Sequence, residues 1–129
     1  MDITVQYIKD RFEVFNRQMF GGALPLPVIR VSKAKTYLGA VTYKRKRTWY
    51  GKVVISDFKL RISTRYELSE SLLEDTIIHE MIHYYILYNG LKDTSPHGKL
   101  FRQMMKAINE KFSRHIVVSH RGAKLKPMT

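Results

Sequence analysis

The sequence predicts one domain of the α+β class, and three observations lead to that prediction. Its 129 residues suit a single hydrophobic core. Its hydrophobic content of 44% is typical of a globular protein rather than a disordered one. Its patterns run in the order helix, strands, helix, helix. We therefore assign residues 1–118 to this domain and residues 119–129 to a basic, flexible tail.

The chain begins with a predicted amphipathic helix over residues 2–20. Apolar side chains recur there at spacings of four, three and four residues and so share one helical face: Ile8, Phe12, Phe15 and Met19. Gly21-Gly22 ends this helix. The Pro-containing segment 24–27 is extended and leads into a strand at Val28–Ser32.

Two β-rich runs follow, at residues 37–43 and 48–56. They flank the segment Lys44–Arg47, and this pattern predicts a β-hairpin with a basic tip. Together with the strand at Val28–Ser32, the hairpin predicts a small antiparallel sheet of three to four strands.

The second half of the chain predicts two helices. Residues 67–89 form a long helix that ends at Asn89-Gly90. Ser95 and Pro96 suit the N-cap and the first position of the next helix. The inward side chains of the two helices are Leu73, Ile77, Met81, Tyr84 and Tyr88, and then Phe101, Met104, Met105, Ile108 and Phe112. A short last strand is expected at Ile116–Val118.

The composition excludes several kinds of site and location. The chain contains no Cys, which rules out disulfides, thiolate metal ligands and cysteine nucleophiles. No apolar run approaches the roughly 20 residues that a membrane span needs, and the N-terminus lacks the basic-then-apolar layout of a secretory signal. We expect a monomeric, cytoplasmic protein without membrane contact, and association with a nucleoid or chromatin is left open.

Basic residues dominate the two ends of the sequence. The formal net charge is +12, nine Lys and Arg but no acid lie between Glu13 and Asp57, and five more follow Glu110 without an acid. This excess favours a polyanionic partner, and non-specific, electrostatic binding of nucleic acid is the leading interpretation. The candidate contacts are Lys44, Arg45, Lys46, Arg47 and Trp49 in the hairpin and Arg121, Lys124 and Lys126 in the tail. An exposed hairpin tip above core aromatic residues is an equally good interpretation of the hairpin.

The strongest chemical signal is His79-Glu80-Met81-Ile82-His83, an H-E-x-x-H motif inside the predicted long helix. Two His residues four positions apart lie on one helical face, so both imidazoles can reach one metal ion. Glu80 lies between that face and the apolar stripe, where its carboxylate can act on water without being a ligand. Two surface His residues beside an ion-paired Glu are the alternative interpretation.

A hydrolytic zinc site uses three protein ligands and one open position. Without Cys, the third ligand has to be His, Asp or Glu, and His97 is the best candidate. It lies 14 residues after His83, in the first turn of the next predicted helix, where the positive helix end helps to keep imidazole neutral. Asp93, in the preceding loop, is the rival ligand. His115 and His120 are expected to be structural or surface residues, and His120 is also a weak candidate for the substrate site.

Three imidazoles, a zinc ion and an adjacent carboxylate predict hydrolysis of a peptide bond. Zinc polarises the carbonyl, while Glu80 accepts a proton from the attacking water and passes it to the leaving amine. The expected cofactor is one Zn²⁺ per chain, bound by His79, His83 and His97, and the expected substrates are proteins. Two other functions stay open: a nucleic-acid-binding module with a structural zinc ion, and a general small metallopeptidase without a role at DNA.

Short motifs in a fixed order run through the chain from about Tyr7 to Val118. They are Phe15-Asn16, Phe20, Gly22 and Leu24-Pro25 of an F-N-x-x-x-F-x-G-x-L-P pattern, then Leu38-Gly39, Ile55-Ser56, the H-E-x-x-H motif, His97-Gly98-x-x-Phe101, Met105 and Ile108-Asn109. In this order they resemble the SprT-like family of zinc metallopeptidases, and within it the protease domain of Spartan-type DNA–protein crosslink proteases.

The resemblance implies a zincin-type α+β fold, in which the helix with Glu80 is followed by a second helix that carries His97. It also implies proteolysis coupled to DNA binding and DNA repair. Spartan-type proteins bind DNA through a second, zinc-containing module, and bacterial relatives often carry a Cys-rich ribbon there. Because this chain has no Cys, its basic segments are the candidates to replace that module.

Overall fold

One long helix contacts most of the other elements of the fold. The computed structural model describes residues 3–119 and 126–127. The elements in this part of the chain are α1 (Val5–Met19), β1 (Val28–Ser32), β2 (Gly39–Arg47), β3 (Val53–Ser63), β4 (Tyr66–Glu67), α2 (Glu70–Tyr88), α3 (Lys99–Phe112) and β5 (Lys126–Pro127). Helix α2 packs against α1, α3, β2 and β3. The α+β class expected from the sequence is confirmed.

The apolar face of α2 forms the centre of the core. Leu73, Ile77, Met81 and Tyr84 are buried as predicted, whereas Tyr88 at the end of the stripe is 46% exposed. Around them pack the buried side chains Ile8, Phe12, Phe15, Leu60, Ile62, Phe101 and Ile108. Because this packing holds α2 along its length, side chains on its other faces take defined positions. No helix in the described part of the chain is long and apolar enough to cross a membrane.

Asn16 ties the end of α1 to the segment that precedes β1. Its Nδ2 donates to the carbonyl of Leu24 at 2.7 Å, and its Oδ1 accepts from the backbone N–H of Leu24 at 3.1 Å. The side chain is buried, so it satisfies backbone groups that water does not reach. Between Asn16 and Leu24, Gly21 and Gly22 turn the chain with φ angles of 63° and 72°. Glycine adopts such angles without steric cost.

The main sheet is mixed, so the prediction of an antiparallel sheet is wrong for one of its two pairings. The strand order is β1-β3-β2. Strands β2 and β3 form the expected antiparallel hairpin, but β1 pairs parallel with β3, from Val28 opposite Lys59 to Ser32 opposite Ser63. The segment 33–38 reverses the chain between β1 and β2, and the hairpin reverses it again. Strands β1 and β3 therefore run in the same direction.

The turn of the hairpin lies at residues 48–52, beyond the predicted basic tip. Gly51 has a φ of 85°, and the hydroxyl of Thr48 accepts from the backbone N–H of Lys52 at 3.0 Å. Glycine and a hydroxyl that binds the backbone are the features that close such a turn. The segment Lys44–Arg47 instead continues β2 and pairs with β3, so the prediction that it forms the tip is wrong.

Helix α3 starts at Lys99, and the predicted start at Ser95-Pro96 is wrong. Both carboxylate oxygens of Asp93 reach the beginning of this helix. Oδ1 accepts from the backbone N–H of Leu100 at 3.1 Å, and Oδ2 accepts from that of Phe101 at 2.9 Å. The first N–H groups of a helix have no partner within it, so the carboxylate decides where α3 begins.

His97 consequently lies in the turn before α3, and the expectation that the second helix itself carries this residue is wrong. Gly98 is the N-cap residue of α3 and makes no side-chain hydrogen bond. A Cβ at Gly98 would overlap Asp93 and Thr94. The turn can therefore fold tightly against its own Asp only with glycine at this position.

A side chain of α3 holds the segment that follows it. The amide of Asn109 donates to the carbonyl of Ile116 and accepts from its N–H, both at 2.9 Å. These bonds occupy the backbone groups of Ile116 that pairing with another strand would need. Residues 116–118 form no strand, so the predicted strand at Ile116–Val118 is wrong. Further on, β5 pairs antiparallel with β4. The remaining residues of the predicted tail after Ser119 lie outside the described residues.

Candidate metal centre

Three imidazole rings meet where α2 faces the turn before α3. His79 and His83 lie one turn apart on α2. The Nε2 of His97 lies 3.1 Å from Nε2 of His83 and 3.2 Å from Nε2 of His79. Among the residues that the structure describes, these three form a group whose ligand atoms all lie within 4.8 Å of one another. The fold thus brings together the three His residues that the sequence singles out.

The spacing of these nitrogens fits a tetrahedral metal ion. Two nitrogens bound to one tetrahedral zinc at about 2.0–2.1 Å lie about 3.3 Å apart. The observed separations of 3.1 and 3.2 Å are close to that value. Imidazole suits zinc and also other divalent transition metals. These three side chains would hold the ion with one tetrahedral position left open, as in catalytic rather than structural zinc sites.

A backbone carbonyl orients His79. Its Nδ1 lies 2.9 Å from the carbonyl oxygen of Val117. Because a carbonyl only accepts, Nδ1 carries a proton and donates it, and Nε2 is the nitrogen that faces the other two rings. Metal-binding His residues commonly have such a partner. No sequence pattern predicts this bond, because Val117 lies 38 positions along the chain and in no strand or helix.

Phe101 lies against all three imidazoles. Its side chain is fully buried, and its ring centroid lies 4.9 Å from those of His79 and His97. The ring of His83 stacks on it with a centroid distance of 4.4 Å. Such contacts restrict rotation of the imidazoles. The sequence indicated Phe101 only as a core residue and as part of a motif, since ring contacts across two elements leave no local pattern.

Replacing Phe101 by Leu is expected to weaken zinc binding by about 10–100-fold, the range found when groups that orient metal ligands are altered. Leu keeps an apolar side chain in the core but lacks the flat face that stacks on His83. The measurement is a zinc titration against a competing chelator. Phe112→Leu, at a half-buried ring at the other end of α3, is the control and should bind as the parent does. Parental affinity in Phe101→Leu would show that the ring does not orient the ligands.

The surroundings of the imidazoles favour their neutral form. Burial, followed by the neighbouring His79 and His97, lowers the pKa of His83 to about 4. Burial, followed by the charge of Arg102, lowers the pKa of His97 below its usual value. Neutral imidazole is the form that binds metal ions. Burial thus favours the neutral state that the sequence predicts for His97.

The carboxyl group of Glu80 is buried beside these rings. The residue is 6% exposed, and its Oε2 lies 3.7 Å from Nε2 of His79. Burial raises the pKa of Glu80 to about 8, because the carboxylate loses its hydration. A cation held by the three imidazoles would lower the pKa of Glu80, since nearby positive charge favours the carboxylate.

Gly39 brings the start of β2 directly against Glu80. A Cβ at Gly39 would come within 2.9 Å of Cγ of Glu80 and 3.0 Å of Cγ2 of Thr76. A glycine is thus required for this close approach of strand and helix. The sequence indicated Gly39 only as part of the Leu38-Gly39 motif, and its contact with Glu80 appears only in the folded chain.

A cleft opens on both sides of the three imidazoles. One chamber of about 610 Å³ extends towards the end of α2, and a second of about 550 Å³ extends towards residues 35–38. His79, Glu80, His97 and Gly39 line both chambers. These volumes are in the range of ligand sites. The three imidazoles and Glu80, which together we call the centre, are therefore reached from two sides, and β2 runs beside them.

The predicted nucleic-acid contacts of the hairpin lie on what we call the basic arm, residues 44–56. The side chains of Lys44–Arg47 are exposed, and Lys44 makes an exposed ion pair with Asp57 at 3.5 Å. Trp49 is 95% exposed and meets the ring of Tyr50 edge-on at 5.3 Å. The interpretation in which aromatic residues near the tip belong to the core is therefore wrong for Trp49.

The other candidates lie apart from the three imidazoles or outside the described residues. The carboxylate of Asp93 binds the start of α3 and does not belong to the group of three His. His115 is exposed. Lys126 belongs to β5, and His120, Arg121 and Lys124 lie outside the described residues.

The chain is similar to proteins of one family over most of its length. A model of the SprT-like family matches residues 8–121. The curated proteins named "DNA-dependent metalloprotease SPRTN" from Bos taurus and Homo sapiens are each 31% identical to it over 110 residues. That region covers 84% of this chain and 22% of each relative. The chain thus spans about a fifth of the length of these relatives.

Proposed function

This chain belongs to the SprT-like family, and from that premise we propose that it is a zinc-dependent endopeptidase acting on proteins bound or crosslinked to DNA. In this proposal His79, His83 and His97 hold one zinc ion, and Glu80 is the catalytic base. The observation that carries it is the meeting of three imidazole nitrogens beside a buried carboxyl group in a cleft open on two sides. The names of its relatives support a metalloprotease.

Each residue of the centre has a part in the proposed hydrolysis. When bound, zinc polarises the scissile carbonyl and makes water a stronger acid. Glu80 accepts the proton that the attacking water loses as the new C–O bond forms. It then delivers this proton to the amine nitrogen as the C–N bond breaks, which releases a carboxylic acid and an amine. Val117 and Phe101 keep the imidazoles in place during this sequence.

The shape of the cleft supports a polypeptide substrate. The cleft passes the centre on both sides and follows the first half of β2, from Gly39 to Tyr43. In the described sheet β2 is an edge strand, paired with β3 alone. An extended polypeptide is the ligand that fits beside a sheet edge. A small-molecule amide would leave most of this length unused.

The proposed role at DNA rests on the basic arm and on the relatives, which are named DNA-dependent metalloproteases. The arm carries Lys44, Arg45, Lys46, Arg47 and Lys52 without an acidic residue. Its base adjoins the cleft, because Tyr43 lines the larger chamber. The strand continues from Tyr43 to Arg47, about 13 Å further along, and Trp49 lies in the turn beyond it. DNA held by the arm would therefore keep an attached protein near the centre.

Charge reversal of Arg45, Lys46 and Arg47 to Glu is expected to weaken binding of a DNA oligonucleotide by at least about tenfold at low salt. It should also reduce the slope of log affinity against log salt by about three, one for each lost phosphate contact. Fluorescence anisotropy over a salt series measures both quantities. The matched control reverses three exposed Lys residues of α3: Lys99, Lys106 and Lys111. Equal losses in the two variants would mean that net charge, and not the arm, determines binding.

The direct test of the proposed function is cleavage of a DNA-binding protein, with and without DNA, by the parent and by Glu80→Gln. Cleavage by the parent alone supports the endopeptidase. If the parent binds zinc but neither the parent nor Glu80→Gln cleaves the protein, a nucleic-acid-binding module with a structural zinc ion is favoured. If the parent cleaves equally well with and without DNA, a general metallopeptidase is favoured. The monomeric state and the location in the cytoplasm stay predictions.

A further inference from the structure

The two chambers of the cleft differ in chemical character. Beside the centre, the larger one is lined by Val41, Tyr43, Ile86, Leu87, Leu91 and Pro96, and we call it the apolar chamber. The other is lined by the polar side chains of Lys35, Thr36, Tyr37, Tyr66, Thr76 and Ser119 and also by Leu38 and Val118, and we call it the polar chamber. Gly39 belongs to both. A polypeptide that crosses the three imidazoles would thus meet mostly apolar walls on one side and mixed, more polar walls on the other.

The described walls of the apolar chamber offer little to a charged group. Apart from Glu80 and the imidazoles, the titratable side chains there are Tyr43 and Asp93. The carboxylate of Asp93 accepts the backbone N–H groups of Thr94, Leu100 and Phe101 at 2.7, 3.1 and 2.9 Å. Desolvation raises the pKa of Asp93, but together these hydrogen bonds lower it by more, so that the pKa lies below its usual value. The carboxylate oxygens of Asp93 are therefore occupied by hydrogen bonds at and before the start of α3.

We propose that the apolar chamber selects an apolar side chain of the polypeptide on one side of the scissile bond. Leu, Ile, Met or Phe would enter it in preference to Gly, Asp or Glu. The chamber has room for such a side chain, with a volume of about 610 Å³, and it is continuous with the centre through His79, Glu80 and His97. This inference rests on the proposed endopeptidase function, which supplies the polypeptide.

The test uses peptides of one sequence that carry Leu, Gly or Glu at either of the two positions that flank the scissile bond. At one of these positions, kcat/KM should be at least about tenfold higher with Leu than with Gly, the discrimination typical of an apolar pocket. At the other position, which faces the polar chamber, the Leu peptide should have no such advantage. Binding of the same peptides to zinc-loaded Glu80→Gln, measured by fluorescence anisotropy, provides a readout that does not depend on turnover.

A charge placed in the chamber should change the preference in a stated direction. Leu91 is 43% exposed after α2, so Leu91→Lys is compatible with folding. This variant should lose the advantage of the Leu peptide and gain relative activity on the Glu peptide, which misfolding would not produce. The control is Leu26→Lys, at a Leu that is 45% exposed and lines neither chamber, and it should keep the parental preference.

The outcomes separate this inference from the proposed function. Cleavage without preference for Leu at either position would overturn the selection of an apolar side chain and leave the endopeptidase intact. An absence of cleavage, together with tighter binding of Leu peptides to Glu80→Gln, would contradict the endopeptidase and support the apolar subsite. A Leu preference that is unchanged in Leu91→Lys would place the selecting surface elsewhere and overturn the proposal.

Discussion

Glu80→Gln is expected to lower the rate of protein cleavage by about 10²–10⁴-fold, the usual contribution of a general base. The amide has nearly the shape of the carboxyl group but cannot take a proton from water. The measurement is kcat/KM on a DNA-binding protein, followed by gel. The bound zinc should stay at the parental level in elemental analysis, because the proposed ligands are the three His residues and not Glu80.

Glu70→Gln is the control for this prediction, since Glu70 lies on the same helix but is exposed in its first turn. It should cleave as the parent does. Cleavage at the parental rate by Glu80→Gln would exclude this residue as the base and with it the proposed mechanism. Loss of zinc from Glu80→Gln would instead show that the carboxylate takes part in metal binding.

His97→Ala is expected to reduce cleavage to background and to weaken zinc binding by more than about 100-fold. Removal of a ligand should cost more than alteration of the groups that orient ligands, which costs about 10–100-fold. Only the pair on α2 would then remain to hold the ion, short of the three protein ligands of a catalytic site. A chelator-competition titration and elemental analysis of the purified variant measure this effect.

His115→Ala is the matched control, because His115 is exposed and lies apart from the three rings. It should keep both the zinc and the activity. If His97→Ala retained full zinc, Asp93 would become the leading third ligand, since it lines the same chamber. Asp93→Asn then decides between the two, and we expect it to keep its zinc, because the carboxylate of Asp93 binds the start of α3.

Local patterns were sufficient where the physical cause is local. The four-residue spacing of His79 and His83 places both imidazoles on one face of any α-helix, so their pairing follows without knowledge of the fold. The stripe of α2 and the strand at Val28–Ser32 depend equally on short-range periodicity, and the structure has both. The position of His97 after the pair on α2 made it the best candidate for the third ligand, and the resemblance to a family added the motif around it.

Errors arose where two local signals competed or where strand pairing decided the structure. The start of α3 depends on the carboxylate of Asp93, six residues upstream, and not on the better cap signal at Ser95-Pro96. The hairpin turns at Gly51 and not at the predicted Lys44–Arg47. Glycine at position 51 adopts a positive φ angle, and Lys44–Arg47 pair with β3. The sequence also did not predict the parallel pairing of β1 with β3, since strand direction depends on how the chain returns to the sheet.

The sequence by itself determined the class of the fold, the helix that bears the two His residues and the glutamate between them, and the excess of positive charge. These properties follow from composition and from spacings shorter than two helical turns. Only the tertiary structure decided that His97 meets the pair from a turn, that Val117 and Phe101 hold the rings, and that the cleft is apolar on one side. Such contacts join residues far apart in the chain, and their geometry exists only once the core around α2 has packed.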